Sequence, residues 1–258
     1  MTLLSIVTPT LNSATTLPAT IASIAPLVQS GAEHIVVDSG STDSTVSIAK
    51  SAGCHVIFHP PGNIYEAINA GLAIAKGRWL TYINSDDLLY SDFVSDVLSS
   101  IDDRYKIIYG NIDFIDLSGR YLFSRRTPPS YLLNWSMKYY SCIFQQGTLF
   151  RSDLFSQMNG FNSKYFYVAD RDFFARCVVS KESFLHYSKR TVGAFRLHPM
   201  QLSQYRKNDM SSEGTVSRKA LYQPLGYTTS FPGSILSRLL RILINIDLII
   251  ARFLMSMR

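Results

Sequence analysis

The sequence predicts an α/β protein with a mostly parallel central sheet flanked by helices. Three observations carry that expectation. Across the first hundred residues short β-rich runs alternate with helix-like stretches, the pattern of successive βαβ units. The residues directly behind three of those runs are polar, as expected where the strands of an open sheet end at a ligand crevice. The 258 residues, 47% hydrophobic and 17% charged, supply one sizeable core.

The elements follow in order. Leu3–Val7 reads as the first strand, and Thr15–Gln29 as a helix behind the cap candidates Asn12 and Ser13. His34–Asp38 is the second strand, followed by a helix over Asp43–Ala52 that opens on an acidic residue. His55–His59 is the third. Ile64–Lys76 carries Ile64, Ala67, Ile68, Leu72 and Ala75 on one face, and Gly77 stops it before the fourth strand, Trp79–Asn84. Beyond Asp87 the alternation loosens. A helix is expected near Ser91–Ile101, strands near Ile107–Asn111, Tyr121–Ser124 and Gly147–Arg151, and a helix opening near Asp170. This second half is expected to add mixed strands and the acceptor side, completing a catalytic domain over residues 1–230.

Residues 231–258 read as a C-terminal amphipathic helical tail. Arg238, Arg241, Asn245 and Arg252 recur on one side, while Leu239, Ile242, Leu243, Ile246, Ile249, Ile250 and Phe253 make a broad apolar surface. The charged interruptions leave no run near the roughly 20 apolar residues a bilayer span needs. Two readings stand for residues 234–258: contact with an anionic membrane surface, or packing on protein. The net charge of +6 suits an anionic membrane or a phosphorylated substrate. With no RNA-binding signature and no zinc-finger spacing, nucleic acid is not expected as a partner. Cys54, Cys142 and Cys177 lack close spacing and read as buried reduced thiols. The opening Met1–Pro9 has no basic leader, so the expected location is cytoplasmic, peripheral on the cytoplasmic face of the membrane if the tail binds there.

The polar turns to inspect are Thr8–Asn12, Asp38–Asp43 and Asn84–Asp87. Asp86 and Asp87, directly behind the fourth strand, are hard oxygen ligands suited to Mg²⁺ or Mn²⁺. A bare acidic pair favours the plainer reading, an acidic turn or a cap for the helix that follows, because such turns are common.

Four blocks in fixed order change that balance: Ser5–Asn12, Val36–Asp43, Tyr65–Gly71 and Asn84–Asp87. Together they resemble a family 2 glycosyltransferase, over about the first two hundred residues. The resemblance implies a GT-A nucleotide-diphospho-sugar transferase fold, a divalent metal and inverting transfer, as in bacterial polysaccharide assembly. Carried over by position, Thr8 and Asp38 lie against the nucleoside, and Asn69, with Tyr65 and Glu66, faces the donor. Asp86 is the main metal ligand and Asp87 its helper. Asn84 stands where the family often has a carboxylate; with Ser85 it brings hydrogen bonds to the donor but no charge.

Further on, Gln145–Arg151 resembles the acceptor-side strand and Val168–Arg176 the catalytic-base segment, which makes Asp170 the base. Phe195–Ser203 resembles the block that closes over the diphosphate, with Arg196 balancing leaving-group charge and His198 as a third metal ligand or a phosphate donor. Each has a plain structural alternative: Asp170 as an N-cap, His198 as a packing residue. The expected activity is transfer of a sugar from a nucleotide-diphosphate donor, UDP- or GDP-linked, to a saccharide or lipid-linked acceptor. The alternative is a catalytically degenerate, membrane-associated scaffold, suggested by Asn84 and Ala169. Nucleotidyl transfer ranks below both, because Pro9–Ser13 has neither the glycine nor the lysine a triphosphate loop needs.

Overall fold

A computed structural model describes residues 2–139, 143–180, 184–198, 201, 206–227 and 231–246. The first four strands are β1 (Leu4–Thr10), β2 (Glu33–Asp38), β3 (His55–Phe58) and β4 (Trp79–Tyr82). Between them run α1 (Leu17–Gln29), α2 (Thr45–Ser51) and α3 (Ile64–Ile74). All pair in parallel, in the order β3-β2-β1-β4, because each helical crossover returns the chain to the same end of the sheet. Gly71 lets α3 lie close on this sheet: a Cβ there would sit 2.7 Å from Val7 and 2.8 Å from Val37.

The second half turns the sheet mixed. After β5 (Leu88–Leu89) and α4 (Ser91–Ser100) come β6 (Tyr105–Ile115), β7 (Tyr121–Arg125), α5 (Ser130–Met137), β8 (Leu149–Arg151) and α6 (Ser152–Gln157). Then follow α7 (Ala169–Ser180), β9 (Phe184–Arg196), α8 (Lys207–Tyr222) and α9 (Phe231–Ile244). β8 is antiparallel to both β4 and β6, β6 is parallel to β9, and β5 and β7 pair antiparallel with β9 and β6. The sheet is parallel through its first four strands and again where β6 pairs with β9, and the antiparallel partners β5, β7 and β8 make the whole mixed.

Two cores cover the sheet. On one face α3, α6 and α7 bury Val7, Val37, Ile68, Tyr82, Phe150, Phe161 and Phe173; on the other α1 and α4 bury Leu4, Ile6, Ile24, Trp79, Ile83 and Phe93. Phe173 meets Phe150 and Phe161 at ring-centroid distances of 5.2 and 4.9 Å. Cys177 is buried in α7, Cys54 is half-buried, and Cys142 lies outside the described residues.

No helix among the described residues is long and apolar enough to cross a membrane. α9 is fastened where the Arg126 amide donates to Asn245 Oδ1 at 2.7 Å, while Ile235, Leu236, Leu239, Ile242 and Leu243 are exposed. Asn245 is thus buried against β7's end instead of joining a solvated polar face. The tail beyond residue 246 lies outside the described residues.

Candidate active site

Three loops are knitted together at the carboxyl ends of β1, β2 and β4. Asn12 Oδ1 accepts from the Thr42 amide at 2.8 Å, and the Ser13 and Ser85 hydroxyls are 2.7 Å apart. Asp38 closes β2 and organises the loop behind it. Its Oδ2 accepts from the amides of Gly40 and Ser41, both at 2.9 Å, and its Oδ1 accepts the hydroxyls of Ser41 at 2.5 Å and Thr10 at 3.2 Å.

Thr8 requires a correction. β1 continues past its predicted end at Val7, because Thr8, Pro9 and Thr10 keep their parallel register with Val36, Val37 and Asp38. Thr8 is consequently inside the sheet, fully buried, sharing a 2.9 Å hydrogen bond with His34 Nε2. Burial lowers the His34 pKa to about 4, so this imidazole is neutral at physiological pH. The hydroxyl that reaches the strand end belongs to Thr10.

Asn84–Asp87 forms a tight turn behind β4, closed by the Asp87 amide donating to the Asn84 carbonyl at 3.1 Å. Its two carboxylates have different surroundings. Asp87 is fully buried: Oδ1 accepts from the Arg196 amide at 2.9 Å and Oδ2 from Gln146 Nε2 at 2.8 Å and Asn84 Nδ2 at 3.4 Å. Burial, with the Asp86 carboxylate beside it, pushes its pKa well above the usual carboxyl range. Asp87, expected as a helper ligand, is instead the bolt that fixes the turn to β9. Asp86 keeps 24% of its side chain exposed and holds Oδ2 at 3.0 Å from Nε2 of His198, itself 16% exposed.

Arg196 also departs from expectation. It is buried, with Nε donating to the Asp86 carbonyl at 2.6 Å and Nη1 to the carbonyls of Asp116 and Leu117 at 3.1 and 2.9 Å. Its charge is spent on backbone carbonyls, so it braces the acidic turn from behind. Asn69 is committed in the same way: its amide donates to the Phe161 carbonyl at 2.8 Å and accepts the Phe161 amide at 3.0 Å.

Asp170 stands in the first turn of α7, part-exposed, where its Oδ1 accepts the Tyr65 hydroxyl at 2.9 Å. Desolvation raises its pKa to about 6, against the opposing effect of the Tyr65 hydrogen bond. Tyr82, on β4, feels the charges of both Asp170 and Asp87 and shares a hydrogen bond with Tyr65, which places these two tyrosines between the acidic turn and α7. Asp172 turns away to Arg176, at 2.7 Å. One supporting residue carried no signal in the sequence: Glu213 on α8 accepts the amides of Phe166, Tyr167 and Val168 at 2.7, 2.6 and 3.1 Å, fixing the approach to Asp170.

The family model described as glycosyl transferase family 2 matches residues 5–167. The chain belongs to glycosyl transferase family 2. Its matched region takes in the three loops and Gln146; Asp170, Arg196 and His198 lie beyond it. A relative from Mycobacterium bovis, a PGL/p-HBAD biosynthesis glycosyltransferase, is 31% identical over 209 residues, covering 74% of this chain and 75% of the relative. Among solved structures, Staphylococcus aureus TarS 1-349 in complex with UDP superposes with a TM-score of 0.61 at 19% identity, over 83% of this chain and 65% of that one. The mannosyltransferase PcManGT from Pyrobaculum calidifontis, in complex with GDP-Man and Mn²⁺, gives 0.60 at 14% identity, over 91% and 68%. The family 2 transferase therefore has the GT-A fold, its mixed sheet flanked by helices.

Proposed function

We propose that this family 2 transferase moves a sugar from a nucleotide-diphosphate donor to a saccharide or lipid-linked acceptor with inversion, Asp170 acting as general base. The observation that carries this reading is the pairing of two unlike acidic sites. Asp86 lies beside a histidine, whereas Asp170, equally part-exposed, accepts the Tyr65 hydroxyl and has its pKa raised to about 6 by desolvation. That difference separates charge binding from proton transfer.

The acceptor hydroxyl gives its proton to Asp170 while its oxygen forms a bond to the anomeric carbon. The bond from that carbon to the diphosphate breaks on the opposite face, and its electron pair leaves on the diphosphate oxygen. Asp86 and His198, one oxygen and one nitrogen donor at 3.0 Å, fit two positions of a Mg²⁺ or Mn²⁺ site whose other ligands come from the donor. Such a cation supplies charge neutralisation for the leaving diphosphate. The loop organised by Asp38, with Thr10 at the end of β1, takes the nucleoside, and Asn84 and Ser85 line the path between. Bound UDP in TarS, and GDP-Man with Mn²⁺ in PcManGT, support this class of donor.

The test is nucleotide release from a panel of UDP- and GDP-sugars, with and without Mn²⁺. Release should require the metal and vanish in Asp86→Ala; release that persists in that variant or in EDTA refutes the metal assignment. Donor binding by calorimetry discriminates against a scaffold, which need not bind a donor.

A further inference from the structure

Gln145 sits at the opening of the loop before β8, and its side chain is 6% exposed with neither Nε2 nor Oε1 hydrogen-bonded to protein. A buried primary amide with both ends unmatched is costly, and folds seldom leave one without a use. β8 pairs with β4 antiparallel through Trp79↔Arg151 and Leu80↔Phe150, so the loop that enters β8 lies at the same end of the sheet as the acidic turn behind β4. In that loop the Gln145 carbonyl accepts the Thr148 amide at 3.0 Å, and the neighbouring Gln146 donates to Asp87 in the acidic turn. Gly147, at φ 76°, lets the loop press on β9, where a Cβ would collide with the Val192 carbonyl.

Two more buried amides nearby each have an unmatched acceptor. Gln146 Oε1 is one, and Gln201 Oε1 is the other, its Nε2 being spent on the Arg196 carbonyl at 2.6 Å. The chemistry of the set limits the ligand. A phosphate would satisfy Nε2 and leave Oε1 bare; a cation would do the reverse. A hydroxyl both donates and accepts, and so matches the two ends of an amide. The strand order adds direction: in the run β2-β1-β4-β8, the acidic turn lies between the Asp38 loop on one side and Gln145 on the other. A donor laid across it with its nucleoside at Asp38 and its diphosphate at Asp86 brings its sugar to Gln145.

We infer that Gln145 is a specificity-determining residue that hydrogen-bonds a ring hydroxyl of the transferred sugar. This rests on the donor reading above and adds to it the residue that reads the sugar. The test uses the full chain and Gln145→Leu, titrated calorimetrically in Mn²⁺ with UDP, GDP, UDP-glucose, UDP-N-acetylglucosamine, UDP-galactose and GDP-mannose. Affinity for the nucleoside diphosphates should stay within about twofold, while the nucleotide sugar preferred by the unmodified chain should bind about tenfold more weakly. The melting temperature without ligand should not fall, because the substitution replaces an unmatched amide by an apolar group of similar size. Equal weakening of diphosphate and nucleotide sugar, no change in either, or a lower melting temperature would each overturn the inference. If the unmodified chain binds none of the six, the donor reading itself fails; a chain that binds them with Gln145→Leu unchanged removes only the role of Gln145.

Discussion

Asp170 is pulled in two directions. Burial opposes its charge and the Tyr65 hydroxyl favours it, with smaller repulsion from Asp172 and Glu213, leaving a pKa of about 6. Catalytic efficiency should therefore rise with pH through about 6 on its acid limb, and Tyr65→Phe, by removing a bond to the charged form, should move that limb upward. A limb that stays in place contradicts the role of Tyr65. The same shift has a stability consequence. Since the folded value exceeds the ordinary carboxyl value of 3.8, the folded state binds the proton more tightly than the unfolded chain, so its stabilisation is complete below that value and lost as pH rises through about 6. Asp170→Asn should then melt higher than the unmodified chain near neutral pH, with the difference vanishing in acid; thermal scans at both pH values decide this. At this scale the sequence identified the acidic turn but not the division of labour within it. What distinguishes Asp87 from Asp86 is Gln146 and the Arg196 amide, 59 and 109 residues away. Local pattern holds no trace of them. Thr8 was misplaced for a nearer reason: one more pair of polar residues could continue β1 or leave it, and the register with β2 decided.

α7 delivers Asp170, and two of its supports can be removed separately. Phe173 anchors the helix in the aromatic core against Phe150 and Phe161, so Phe173→Ala should cost about 3–5 kcal/mol in denaturant unfolding. Glu213 instead holds the three amides that lead into the helix. Glu213→Ala should lower turnover with donor affinity retained, since it loosens the base and leaves the acidic turn intact; unchanged turnover would assign Glu213 to stability alone. The parallel half of the fold was legible because each strand and helix there shows its own period within a dozen residues. The strand β9 was not, because Ser188-Lys189-Arg190-Thr191 interrupts its apolar pattern and its pairing with β6 is made across long sequence separation. The helix α8 was missed as well: its Lys207–Tyr222 sequence is largely polar, and it is held by Glu213 and by Ser217, which donates to Asp172 at 3.2 Å.

For the whole molecule, a net charge of +6 and the exposed Ile235, Leu236, Leu239, Ile242 and Leu243 of α9 fit an anionic lipid surface. Sedimentation with phosphatidylglycerol vesicles should pull the chain down at low salt, and Leu239→Glu with Leu243→Glu should release it. Equal sedimentation of both would assign that face to protein contact. The site and the fold form one arrangement: the parallel strands end at the Asp38 loop and the acidic turn, and the mixed second half brings Asp170 of α7 onto Tyr65 of α3. Asp170→Asn tests this most directly, with donor Kd by calorimetry and single-turnover transfer measured on the same preparation. Transfer should fall by about 10²–10⁴-fold with donor Kd unchanged; transfer at the unmodified rate would contradict the assignment of Asp170 as the base.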